Sequence, residues 1–537
     1  MVVRFDPPER QQDDDLGTPG FVPAVSPELL DRHGGRVLEP GTDVVEGWPA
    51  PGARYRPTVY RPGVLLVPAE IWAGKAGAID ALLGELDLRA QAPEELPARA
   101  PVRVALRPRA AGIAVTVDSW RALQHLRAAV SGPDVEGYQD AAAQDAAAPA
   151  QAALTREDVT RISLEHLIAT TDDTIVLKPW AISDTPASGT VRSSFRGRFP
   201  VVLPGSAPRR KPAARRPVIA VVDSGHAAHP LLNVHESGAG TPFADEFVTV
   251  SPAIQHEIAK NHPAGASTAT RIIEGYLDTP ESTEPLVGAL EDAYGHGTFI
   301  AGIIRQAAPR ARVLAIRAVH SDKIGYSGDA LTALHEILDR VVDAQENGCP
   351  EKMVDVVSFS AGYYDEWEGT ADLVGVIDEL IGRGVVFVAA AGNESTARPF
   401  LPAALAARPG NPQGGPQVIG VGALNPDGTK ALFSNENRSV TAWASGVNIV
   451  STYPPAADGS ETPDRAVPAL NRCSLDPDKF TGEYAVWSGT SFATPLVAAE
   501  VANRLLRTGE KRAKLALTKV DQDTTVKRAR AALPELP

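Results

Sequence analysis

The sequence predicts an α/β protein: a mostly parallel sheet flanked by helices, with a smaller α+β domain ahead of it. Three observations carry this. After residue 217, near-continuous apolar runs alternate with segments of helical periodicity, as in parallel sheets covered on both faces. Between residues 55 and 200 some strand signals instead alternate apolar with polar, the pattern of half-buried strands. A chain of 537 residues also exceeds what a single core ordinarily organises.

Residues 1–54 are rich in Pro, Gly and acidic side chains and predict an irregular segment. Over 55–203 the signals read as an α+β domain of roughly βαββα order. Its parts are "GVLLVP" (63–68, strand), "AGAIDALLGEL" (76–86, helix), "VRVALRP" (102–108) and "IAVTVDS" (113–119, strands), and "WRALQHLRAAV" (120–130, helix). An Ala/Gln/Asp-rich stretch at 139–153 is a solvated helix or a linker. The basic, Pro-rich segment 204–216 cannot form a packed element and marks the domain boundary. From 217 to 508, "VIAVVD" (218–223), "RVLAIRAV" (312–319), "VDVVSFS" (354–360), "GVVFVAAAG" (384–392) and "QVIGVGAL" (417–424) predict buried strands. Helices are predicted at 329–348 and 371–384, and 509–537 is expected to be a charged tail.

Composition bounds the function. Hydrophobic and charged contents of 43% and 22% are those of a globular protein. A formal charge of -14 disfavours nonspecific binding to nucleic acid, so no nucleic-acid partner is expected. The start of the sequence lacks a basic, then apolar leader, and no run of about 18 apolar residues occurs; a cytoplasmic location without membrane attachment is the expectation. Cys349 and Cys473 are the two cysteines, too few for a disulfide scaffold, and whether they pair is open.

The polar oddities of the second half fall at strand ends and helix starts, where such sheets place their sites. Asp223 ends the first apolar run and leads into a Ser-Gly turn. His296 lies between Gly295 and Gly297 at the start of an apolar helix. Asn393 follows a buried strand, and Ser491 begins a helix in "SGTSFATP" (488–495). Each has an ordinary reading as a turn or capping residue. Together they supply a carboxylate, an imidazole, an amide donor and a hydroxyl, the parts of nucleophilic acyl transfer.

The blocks "VVDSG", "GHGTFIAG", "AAAGNE" and "GTSFATP", in that order, resemble the catalytic domain of the subtilisin-like serine peptidases, the subtilase family. The resemblance covers 217–508, and the multi-domain layout is similar to that of intracellular actinobacterial members. It implies a serine endopeptidase acting on protein or peptide substrates. Ser491 would be the nucleophile, His296 the base and then acid, Asp223 its orienting partner, and Asn393 an oxyanion donor. It also implies two substrate-lining strands: Gly325, Tyr326 and Ser327 on one side, Ser360, Ala361 and Gly362 on the other. Phe400 would fill the primary pocket and favour small residues before the scissile bond. The alternative is a catalytically silent binding or scaffold protein on the same fold. No cofactor is expected; structural calcium occurs in the family, but no ligand loop is recognisable and no metal residues are assigned. The insertion at 238–290 is expected to be a surface loop near the cleft. The N-terminal domain is either an inhibitory pro-segment or a regulator of the enzyme.

Overall fold

The computed structural model describes residues 2–5, 23, 25–38, 44–45, 48, 54–110, 112, 114–131, 153–171, 198–203, 215–236, 246–264, 270–280, 288–367, 371–408 and 418–533. The second half is organised on a nine-stranded sheet. In spatial order its parallel strands are Val440–Ser445, Ile419–Leu424, Val386–Ala390, Val356–Phe359, Val218–Asp223, Arg312–Arg317, Val248–Val250 and Val234–Glu236. All five predicted apolar runs are present as strands, buried along nearly their whole length because helices cover both faces. Helices His296–Ala307 and Thr490–Lys511 pack on one face through Phe299, Ile303, Phe492 and Val497. Helices Ser327–Glu346 and Ala371–Gly382 cover the other through Leu334, Leu338, Ile377 and Leu380.

One strand enters this sheet from outside the predicted domain. Val3–Phe5 pairs antiparallel with Val440–Ser445 at the sheet edge, with Phe5 opposite Ala442 and the Arg504 guanidinium 4.6 Å from the Phe5 ring centroid. Residues 1–54 are therefore not wholly irregular. They also contain the short helix Pro27–His33, which Ser26 caps and Gly34 ends at φ 60°.

The first domain has the order βαββαβ: Val59–Val67, Ala69–Gly84, Leu88–Gln91, Val102–Pro108, Ser119–Ala129 and Ser163–Thr170, with a short helix Arg156–Arg161 before the last strand. Its strands pair antiparallel, and the helices close a separate core around Leu65, Val104, Ile79, Trp120 and Leu126. The predicted strand at 113–119 is corrected: residues 114–118 form none, and Asp118 instead caps the following helix by accepting from Trp120 N and Arg121 N. The second strand, Leu88–Gln91, is too short and too polar to stand out in the sequence. The stretch 139–152 and most of the predicted linker, 204–214, lie outside the described residues.

Two further expectations are corrected. The insertion at 238–290 contributes the inner strand Val248–Val250 and the helix Pro252–Lys260, so it is partly core. The segment after 508 is no free tail. Helix Gln522–Ala532 folds back, with Ala529, Ala532 and Leu533 in the main core, and Thr525 Oγ1 donates to the Arg383 carbonyl at 2.8 Å. Truncating Leu533 to Ala is expected to lower unfolding stability by about 2 kcal/mol or more, read as a fall in the urea midpoint.

Candidate active site

The parallel strands bring the sequence-predicted residues to one end of the sheet. Asp223 is the last residue of its strand, and its Oδ1 accepts Ser224 N–H at 2.7 Å and His296 Nδ1 at 2.6 Å. A carboxylate only accepts, so Nδ1 carries the proton and Nε2 is the basic nitrogen. The helix that begins with His296 comes close enough for this because Gly297 has no side chain: a Cβ there would lie 2.2 Å from the Gly225 carbonyl oxygen. Trp487 meets the imidazole edge-on at 5.5 Å and Phe492 lies 5.2 Å away, so the ring sits between apolar faces.

Ser491 is the second residue of helix Thr490–Lys511. Asn393 is oriented by Thr490, whose N–H and hydroxyl both donate to its Oδ1, at 3.1 and 2.9 Å. Its Nδ2 therefore faces the cleft, where it donates to the Thr171 carbonyl at 2.6 Å. The backbone N–H of Ser491 donates to the same oxygen at 3.0 Å. Two N–H groups, one at a helix N-terminus, thus converge on one carbonyl.

Thr171 follows the last strand of the N-terminal domain, and that strand fills the cleft. Residues Leu167–Ala169 pair antiparallel with Ile324–Tyr326, with Ile168 opposite Gly325. On the other side Ala169 and Thr170 pair with Gly362 and Ala361. Thr171 N–H donates to the Ser360 carbonyl at 3.1 Å. Gly325, Tyr326, Ser360, Ala361 and Gly362 all line the seated segment, and Ser327 Oγ accepts His166 N–H at 2.9 Å. Phe400 is buried against Gly362, where a Cβ would lie 2.4 Å from its ring. The Ser491 hydroxyl is 2.8 Å from Thr171 Oγ1 and donates to the Ser360 carbonyl at 3.0 Å.

Sequence reasoning missed what holds this strand in place. Arg103, wholly buried, donates from Nε to Glu165 at 2.6 Å and from Nη1 to Asp329 at 2.7 Å. Arg61 donates to the other Glu165 oxygen at 2.6 Å, and its guanidinium lies 4.4 Å from the Tyr326 ring centroid. Burial pushes the Glu165 and Asp329 carboxyls up, but Arg103 beside them holds both below the usual range. His166 Nε2 meets Glu366 at 2.6 Å, and that carboxylate keeps the imidazole pKa raised against its burial. "SLEHLIAT", with a Glu and a His in an otherwise strand-like run, was the available signal. Those side chains make sense only once the partner surface is known. His166, Asp365 and Glu366 are the group among the described residues close enough to share a cation, and the His166–Glu366 contact is met as an ion pair.

The fold and this constellation set a hydroxyl, an imidazole with its carboxylate, and two converging N–H donors at one end of a parallel sheet. The profile of the Subtilase family matches residues 214–519, more than half of the chain, and the chain belongs to that family. It is 25% identical over 316 residues to subtilisin E of Bacillus subtilis (strain 168), covering 54% of this chain and 66% of that protein. It is 29% identical over 243 residues to the thermophilic serine proteinase of Bacillus sp. (strain AK1), covering 43% and 46%. With subtilisin-like protease 3 of Pseudogymnoascus destructans it shares 29% identity over 176 residues, covering 32% and 39%. The chain thus spans less than two thirds of the length of these relatives.

Removing one carboxylate from a buried charge network leaves a cation undercompensated. Asp329→Asn is expected to weaken the seating of the N-terminal domain by about 3 kcal/mol. Faster amide exchange across 163–171, with the main sheet unchanged, is the expected readout.

Proposed function

We propose that the protein is a serine endopeptidase that hydrolyses peptide bonds through an acyl-enzyme intermediate, and that its own N-terminal domain occupies the cleft as an inhibitor and first substrate. One observation carries this reading: the Thr171 carbonyl is held by Ser491 N–H and Asn393 Nδ2 beside the Ser491 hydroxyl. A carbonyl so held is polarised, and the same donors would stabilise the oxyanion that forms on attack.

In the proposed reaction the Ser491 hydroxyl turns from the Ser360 carbonyl toward His296. Nε2 takes its proton as Oγ adds to the carbonyl carbon of the residue before the scissile bond. Asp223 keeps the imidazole in the productive tautomer and stabilises the imidazolium. Collapse of the tetrahedral species expels the amine, which receives the proton from Nε2. Water, activated by the same nitrogen, then releases the acyl group and restores the serine. These steps draw on no cofactor. For the seated segment the bond cut is Thr171–Asp172, and main-chain pairing on both sides fits protein or peptide substrates generally. Phe400 against Gly362 supports a shallow primary pocket suited to small residues, of which Thr171 is one.

Both cysteines are free, which fits a reducing compartment, and the cytoplasm is the location we favour. No helix among the described residues is long and apolar enough to cross a membrane.

Purified full-length chain is expected to yield fragments ending at Thr171 and beginning at Asp172 by intact mass, and the Ser491→Ala variant to remain uncut. After the cut, a fluorophosphonate probe should label the wild type only. No cut and no labelling, even after residues 1–216 are removed, would instead favour the silent scaffold. Phe400→Gly should shift preference toward large residues before the scissile bond, by roughly tenfold or more in kcat/KM on a peptide panel. An unchanged ranking would remove Phe400 from the pocket.

A further inference from the structure

One buried carboxylate next to the Asp223–His296 pair is explained neither by substrate binding nor by the ion pairs of the domain interface. Asp278 lies in the inserted segment after residue 238 and is 3% exposed. The segment is clipped to the loop behind Asp223: His226 N–H donates to the Tyr276 carbonyl at 3.1 Å and Asp278 N–H to the His226 carbonyl at 3.2 Å. Asp278 Oδ2 then accepts two bonds, from Ser224 Oγ at 3.0 Å and from Gly295 N–H at 2.9 Å. Ser224 Oγ in turn accepts Gly297 N–H at 3.0 Å. Ser224 is the residue after Asp223, and Gly295 and Gly297 flank His296. The carboxylate therefore joins the loop that carries one partner to the helix start that carries the other.

We infer that Asp278 is a positioning residue of the reaction, fixing the Asp223–His296 geometry through Ser224 and the helix N-terminus and adding negative charge behind the imidazole. This rests on the function proposed above. Groups set around Asp278 are Asp223, Arg317 and Tyr294, besides the Ser224 and Gly295 donors. Its Oδ1 is buried with no hydrogen-bond partner among the described residues. Burial first, and then Asp223, push its pKa up to about 7, against the pull of Arg317 and of the Ser224 and Gly295 bonds. Above that pH the carboxylate is charged and its field favours the imidazolium; below it that support is lost.

Two variants separate geometry from charge. Asp278→Ala removes both accepted bonds; Asp278→Asn keeps them through its carbonyl oxygen and removes the charge. In the full-length chain the rate of self-cleavage after Thr171 is a first-order reaction of the protein as it stands. The Ala variant is expected to cleave roughly tenfold to a hundredfold more slowly, the size of effect that small misplacements of catalytic groups produce. The Asn variant should recover most of that rate, with the acid limb of its pH profile moved to lower pH. A second readout needs no turnover: in a Ser491→Ala background, the low-field proton resonance of His296 Nδ1–H should titrate at lower pH when Asn replaces Asp278. If the wild type neither cuts itself nor takes up the fluorophosphonate probe, the function proposed above fails and the resonance still decides the role of Asp278. A wild-type cleavage rate in the Ala variant overturns the inference. So does an Asn variant whose rate is as low as that of Ala and whose titration is unmoved.

Discussion

The contact on which the rest depends is the pair of N–H groups, from Ser491 and Asn393, that hold the Thr171 carbonyl. Placing one peptide oxygen there fixes the register of the preceding residues. Ala169 and Thr170 must then face Gly362 and Ala361, and Ile168 must face Gly325. Because side chains alternate along a strand, that register also decides which of them reach the domain interface. Glu165 meets Arg61 and Arg103, and His166 meets Glu366. A slip of one residue would break the carbonyl contact and send both side chains to the wrong face.

The interface carries a buried charge network beside its apolar contacts, and this has a specific effect. Buried ion pairs gain little net stability over a well-packed apolar contact, but they penalise every misaligned alternative heavily. Arg103 lies between a carboxylate of its own domain and Asp329 of the sheet domain. The network therefore distinguishes one docking geometry from its neighbours. That suits a domain whose last strand seats one carbonyl between two fixed N–H donors.

Much of this was legible in the sequence, for identifiable reasons. The five apolar runs became strands because both faces of a parallel sheet must be covered, and that leaves an unambiguous pattern. Asp223, His296, Asn393 and Ser491 were visible because their glycine-flanked or strand-end settings are local. The misses were non-local. Asp278 looks like any loop aspartate until the segment around it docks behind Asp223. Helix Gln522–Ala532 carries so many charges that its buried face, with Arg528 and Thr525 among the buried residues, reads as solvated. The run 114–118 alternates like a strand but finds no partner, whereas Leu88–Gln91 has little pattern and finds one.

The first strand of the chain, Val3–Phe5, adds a consequence for the proposed cut. It belongs by sequence to the piece ending at Thr171, yet it is hydrogen-bonded into the far edge of the sheet that carries the active site. Severing the bond after Thr171 would turn one polypeptide into two that remain laced together at two separate places, the sheet edge and the cleft. Release of either end leaves the other to return it, since a bivalent ligand rebinds at high local concentration. Cleavage and departure are then separate events, and the lifetime of the cut, still-occupied state depends on three residues at the sheet edge as well as on the strand in the cleft.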